Sequence, residues 1–179
     1  GPVILTIDYR KSSERFIFNY WNENYDHNRV MINNDMLQTK ESKLYNYGSL
    51  SGANFGLSAN IANYVNFSIN YQYLKGDKWN ENELTYIEEN NNTFFAKIDM
   101  DTSKIPKLRI AEIFYQQYDV SNPFDFEPNE NTLIGYNIGM DMADNMVFIL
   151  KGRTTYVPAD GQGKFESVKT TQIETQILF

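Results

Sequence analysis

The last nine residues, Thr171-Gln172-Ile173-Glu174-Thr175-Gln176-Ile177-Leu178-Phe179, alternate one by one. Thr171, Ile173, Thr175, Ile177 and Phe179 fall on one side, and Gln172, Glu174 and Gln176 on the other. Successive side chains of a β-strand point to opposite faces, so this period of two describes a strand with one greasy and one polar face. The segment begins near Ser167 and ends on an aromatic ring.

Eight earlier segments repeat the pattern. Val3–Lys11 sets Val3, Leu5, Ile7 and Tyr9 against Thr6, Asp8 and Arg10. Arg15 to about Asn24 sets Phe16, Phe18 and Tyr20 against Arg15, Asn19 and Glu23. Ser51–Ile61 and Val65–Tyr73 alternate most cleanly, with Asn54, Ser58, Asn60, Asn66, Ser68, Asn70 and Gln72 opposite Phe55, Leu57, Phe67 and Tyr71. Thr93–Met100, Leu108–Tyr118, Leu133–Met142 and Met146–Val157 complete the set. Within Leu108–Tyr118 the apolar phase slips by one residue after Ile110, which predicts a β-bulge. An unbroken phase would place Glu112 on the apolar face.

The connections alternate in length. Ser12-Ser13, Ala62-Asn63-Tyr64, Asp101–Lys107 and Ala143-Asp144-Asn145 are short and rich in turn-forming Ser, Asn and Asp. Tyr25–Leu50, Leu74–Asn92, Asp119–Thr132 and Pro158–Glu166 are longer and polar.

Composition narrows the function. The chain has 179 residues, 41% hydrophobic and 15% aromatic, yet a mean hydropathy of −0.54. Apolar and polar residues are therefore interleaved, as expected of one domain over residues 1–179. A net charge of −7 argues against nucleic acid as a partner, because phosphate recognition needs a cationic surface. The lack of cysteine excludes disulfides and thiol chemistry. No apolar run reaches the ~18 residues of a spanning helix, whereas a spanning strand needs only ~9–11 residues.

A final amphipathic strand ending in Phe179, with Ile173 and Ile177 on the same face, resembles the C-terminal signature of bacterial outer-membrane β-barrel proteins. The resemblance is specific over the last ten residues and architectural elsewhere. It implies an antiparallel transmembrane β-barrel of about 8–10 strands in the bacterial outer membrane. It also implies that the barrel assembly machinery reads Ile173, Ile177 and Phe179, and that outer-membrane lipid is a partner. Two features of the residues agree with it. The apolar face runs the full length of nearly every strand, with Tyr and Phe near its ends. The other face is richer in Asn, Ser and Gly than strands of soluble sheets tolerate.

The leading expectation is porin-like, passive or scaffolded passage of small polar solutes through a polar lumen. The lumen candidates are Asp8, Arg10, Arg15, Lys97, Asp99, Arg109, Asp141, Lys151, Arg153 and Glu174, where fixed charges of both signs would set selectivity. The alternatives are a sealed-lumen structural or adhesive surface protein presenting the long loops, and a soluble lipocalin-like barrel whose core holds Tyr20, Phe67 and Tyr71.

Nine segments conflict with the even strand number of closed bacterial barrels. The chain thus reads as the C-terminal part of a longer barrel, completed by an N-terminal remainder or by other subunits. A strand hidden in Tyr25–Leu50 or Leu74–Asn92, or a count of eight without Val3–Lys11, are the other solutions.

No enzyme, cofactor or metal site is expected. His27, beside Asp26, is the single histidine and reads as an exposed loop residue. Asp125, Glu127 and Glu130, and the turn Asp160-Gly161-Gln162-Gly163, lack the spacing of a calcium loop and read as solvated.

Overall fold

The computed structural model describes residues 2–18, 20, 25, 29–33, 36–80, 82–120, 122, 124–159 and 164–177. The fold is all-β. Its strands are β1 (Val3–Ser12), β2 (Val30–Asn33), β3 (Met36–Thr39), β4 (Tyr47–Ile61), β5 (Val65–Asn80), β6 (Thr85–Met100), β7 (Leu108–Tyr118), β8 (Thr132–Ala143), β9 (Met146–Pro158) and β10 (Phe165–Ile177). One short helix, α1 (Lys40–Lys43), follows β3 and is capped by the Thr39 hydroxyl, which accepts from the Ser42 amide. No helix among the described residues is long and apolar enough to cross a membrane.

Eight strands form one antiparallel sheet in the order β1-β4-β5-β6-β7-β8-β9-β10, and β2 pairs with β3 separately. Among the described residues the sheet holds eight strands where alternation counts nine. The segment lost is the second one, not the first: Val3–Ser12 is a sheet strand, whereas the described residues of Arg15–Asn24 are not. Arg15 adopts φ 62, in the left-handed region that a strand cannot accommodate, and its amide donates to Tyr47 O at 2.9 Å. The sheet is not closed into a barrel; β1 and β10 are the ends of the order.

The expected loop Leu74–Asn92 is also corrected. Strands β5 and β6 continue through it, to Asn80 and from Thr85, with a turn over residues 82–84. Both faces are polar there, so the apolar stripe that marks a strand is missing. Cross-strand pairs hold the extension: Lys78 with Glu89 at 2.7 Å, Lys75 with Glu88 at 3.9 Å, and Trp79 edge-on to Tyr86. The predicted β-bulge is present but lies ahead of Ile110, not after it: the register of β7 on β8 shifts between Leu108 and Ile110, so Ile110 stands opposite Gly139 on the face of Asn137. The β4–β5 hairpin turns through Ala62 and Asn63, both at positive φ, the geometry that two-residue hairpins demand.

The chain divides into two compact units. One holds Gly1–Thr6, Phe55–Tyr71 and Thr93–Phe179, and the other holds Ile7–Asn54 and Gln72–Asn92. In the first, register across β6 to β10 aligns Asp99, Glu112, Asn137, Lys151 and Gln172 in one row of the sheet. The neighbouring row, on the opposite face, contains Ile98, Ile113, Tyr136, Gly152 and Thr171.

Candidate lumenal face

Burial is inverted relative to a soluble sheet. Gln116 is 3% and Asn137 7% exposed, whereas Ile113 is 50%, Met140 47% and Ile173 64% exposed. In the second unit Asn54 and Gln72 are buried while Tyr9 is exposed. Each polar residue lies on the strand face that alternation assigns to it. The polar face is not uniformly polar: Leu133, Val147 and Ile149 share it and are buried, as are Leu50 and Leu74 in the second unit.

In the first unit a polar belt crosses from β4 to β10. Asn60 Nδ2 donates to Asn66 Oδ1 at 2.7 Å, and Asn66 Nδ2 donates to Asp99 Oδ2 at 2.8 Å. Lys97 Nζ meets Glu112 Oε2 at 2.5 Å, and Asn137 Nδ2 donates to the other oxygen of Glu112. Lys151 Nζ meets Glu174 Oε2 at 2.6 Å. Arg153 donates to the carbonyls of Tyr136 and Gly152 and stacks on the Phe114 ring at 4.8 Å. Near the short turns Arg109 approaches Asp141 at 3.6 Å. The bulge beside Ile110 turns Glu112 onto this face, where it becomes the hub between Lys97 and Asn137. The slip in apolar phase was the sequence signal for that placement.

In the second unit Arg10 Nε donates to Asp8 Oδ2 at 2.9 Å, and its Nη1 donates to Gln72 Oε1 at 2.7 Å. Asn54 Nδ2 reaches Asp8 Oδ1 at 3.4 Å, and the Phe18 ring lies 5.4 Å from the Arg10 guanidinium. Arg15 does not join this face. It sits exposed in the turn after β1 with its guanidinium over Tyr45 at 4.6 Å.

Nine of the ten lumen candidates thus lie on sheet strands, and Arg15 is corrected to a turn position. Glu112 belongs with them. Of these charges, Arg10 pairs with Asp8, Lys97 with Glu112, Arg109 with Asp141 and Lys151 with Glu174. Several buried amides retain an atom with no protein partner, among them Asn54 Oδ1, Gln72 Nε2, Gln116 Oε1 and Asn137 Oδ1. Such atoms call for water. Phe179 and His27 lie outside the described residues. Ile173 and Ile177 are exposed on β10. Among the described residues no group of acidic or histidine side chains is arranged to hold a metal.

A third cluster lies in the connection between β1 and β4. Tyr25 Oη donates to Glu41 Oε1 at 2.9 Å, and Lys40 Nζ sits 4.8 Å and 5.1 Å from the rings of Tyr20 and Tyr25. The Glu41 backbone amide and the two tyrosine hydroxyls hold its carboxyl down at about 2. Burial, then Glu41, pushes the Tyr20 phenol up to about 12. Burial lowers Lys40.

Comparison with known protein families, curated proteins and solved structures finds no match to this chain.

Proposed function

We propose that the eight-stranded sheet is the wall of a transmembrane β-barrel of a bacterial outer membrane, and that small polar solutes pass along its polar face. The observation that carries this reading is the inversion of burial: amides and ion pairs are covered while apolar side chains such as Ile113, Ile138, Met140 and Ile173 are bare. In water that arrangement exposes what the hydrophobic effect would bury. In lipid it is the favourable one, because the bilayer solvates the aliphatic face and the other face stays wet. A lipocalin-like reading needs the opposite, with Phe55, Leu57 and Ile138 inside.

An open sheet edge has no place in hydrocarbon, where each unpaired amide costs several kcal/mol. The wall is therefore completed at β1 and β10, by the remainder of a longer chain, by other subunits or by each other. Matched charges on the polar face make the passage weakly ion-selective, so uncharged or zwitterionic solutes suit it better than ions. Partial exposure of Lys97 and Lys151, at 26% and 28%, keeps these pairs within reach of water. The sealed-lumen reading, as a structural or adhesive surface protein, draws on the same ion pairs and on the stacked rings of Phe95 and Phe114.

Planar-bilayer recording tests the passage. Reproducible conductance steps with weak ion selectivity are expected, and a folded protein that conducts nothing sinks the pore in favour of the sealed form. Gel mobility that changes on heating, together with a need for detergent, tests the membrane location.

A further inference from the structure

The connection from β7 to β8 does something the polar face does not explain. Its Phe126 and Glu127 lie against the outer, aliphatic side of β6 and β7. The Phe126 ring sits edge-on to Phe94 at 5.7 Å and to Tyr115 at 5.9 Å, and those two rings meet at 6.0 Å. Both partners belong to the aliphatic face: Tyr115 lies two residues beyond Ile113 on β7, and Phe94 stands directly opposite Gln117.

Gln117 explains why this contact is needed. It shares the outward face with Ile113 and Tyr115, where an amide in contact with hydrocarbon would lose its hydrogen-bond partners. It is nevertheless only 3% exposed, because the loop covers it. Its Nε2 donates to Glu127 O at 3.0 Å and its Oε1 accepts from Tyr115 Oη at 2.9 Å. In place of that amide the loop presents Phe124 and Phe126, 82% and 56% exposed. Internal hydrogen bonds shape it: Asn122 accepts from the Phe124 amide, Asp125 from the Glu127 amide, and Asn131 donates to Asp119.

We infer that residues 124–131 form a membrane-interface anchor, whose Phe124 and Phe126 seat at the boundary between acyl chains and headgroups just beyond the aliphatic band. Aromatic rings favour that boundary, and continuity with the outer face through Phe94 and Tyr115 places the loop there. Asp125, Glu127 and Glu130 keep the loop from sinking deeper. The inference rests on the membrane reading above, and the test separates the two.

The chain has no cysteine, so single nitroxide labels are unambiguous. The full chain is folded into dioleoylphosphatidylcholine vesicles with a label on Phe124→Cys, Ile138→Cys or Glu130→Cys. Collision with oxygen, which partitions into lipid, is compared with collision with a water-soluble nickel complex. Oxygen should dominate at position 138, both should be low and near balance with oxygen ahead at 124, and nickel should dominate at 130. The label at 124 should sit within roughly 5–10 Å of the headgroup boundary. Nickel dominance at 124 with oxygen dominance at 138 overturns the anchor and leaves the membrane wall standing. Nickel dominance at 138 overturns the membrane wall, and the anchor falls with it.

Discussion

The Phe114 ring lies flat across Gly135, its directly opposed partner on the next strand. A Cβ at 135 would fall inside the ring's van der Waals envelope. Arg153, directly opposite Gly135 one strand further on, also reaches this ring, its guanidinium 4.8 Å from the centroid. A glycine that weakens a strand by itself is here the floor on which an aromatic and a guanidinium meet.

Gly135→Ala should therefore displace the ring, loosening its stack with Phe95 as well as its contact with Arg153. A loss of about 1–3 kcal/mol is expected, the usual range for overpacking. It would be read as a lower urea midpoint for the protein folded in detergent, with Phe114→Leu in the same background recovering part of it. Unchanged stability of the single variant would show that the ring has room to move.

The Lys97–Glu112 pair joins β6 to β7 at the centre of the polar belt. Removing either charge leaves the other facing a half-covered surface, at a cost of about 1–3 kcal/mol. That is less than for a fully buried pair, since water reaches both groups. In the conducting form, Glu112→Gln should move the reversal potential toward anion preference and Lys97→Met toward cations. The double variant should return near the parent. Variants that all share the parent's reversal potential would remove this pair from the solute path.

Acid should loosen the connection between β1 and β4. The Glu41 carboxyl is held near 2 in the folded protein and titrates near 4.5 when unfolded. Its contribution is thus complete above the unfolded value and is lost as pH falls through about 2. Tyr20 works in the opposite sense: with its phenol raised to about 12, its contribution is complete below 10 and is lost as pH rises through about 12. Amide exchange at Ser42 should accelerate below pH ~4, and Glu41→Gln should flatten that dependence. An equally steep acid response in Glu41→Gln would assign it to another group.

The two faces of the sheet should respond oppositely to charge. Ile138→Lys, on the bare face of β8, should lower the fraction folded in vesicles by an amount equivalent to about 2–4 kcal/mol. Asn70→Lys, on the polar face of β5, should cost far less. Gel mobility before and after heating gives both fractions, and equal tolerance at the two positions would argue that the aliphatic face never meets lipid.

The period-two pattern by itself determined which residues form most of the sheet, which face most of them occupy, and that β7 shifts phase near Ile110. Alternation is a property of the strand's own geometry and needs no partner. It could not mark the outer halves of β5 and β6, where both faces are polar, nor reject Arg15–Asn24, whose alternation is interrupted by the backbone at Arg15. Only tertiary structure decided how the faces are furnished. Glu112 became a hub because register sets it beside Lys97 and Asn137, Gln117 escaped the aliphatic face because a loop returns to cover it, and Phe114 rests on Gly135 because the two are opposed. Those are cross-strand and loop-to-sheet contacts, and they depend on pairing between segments far apart in the chain.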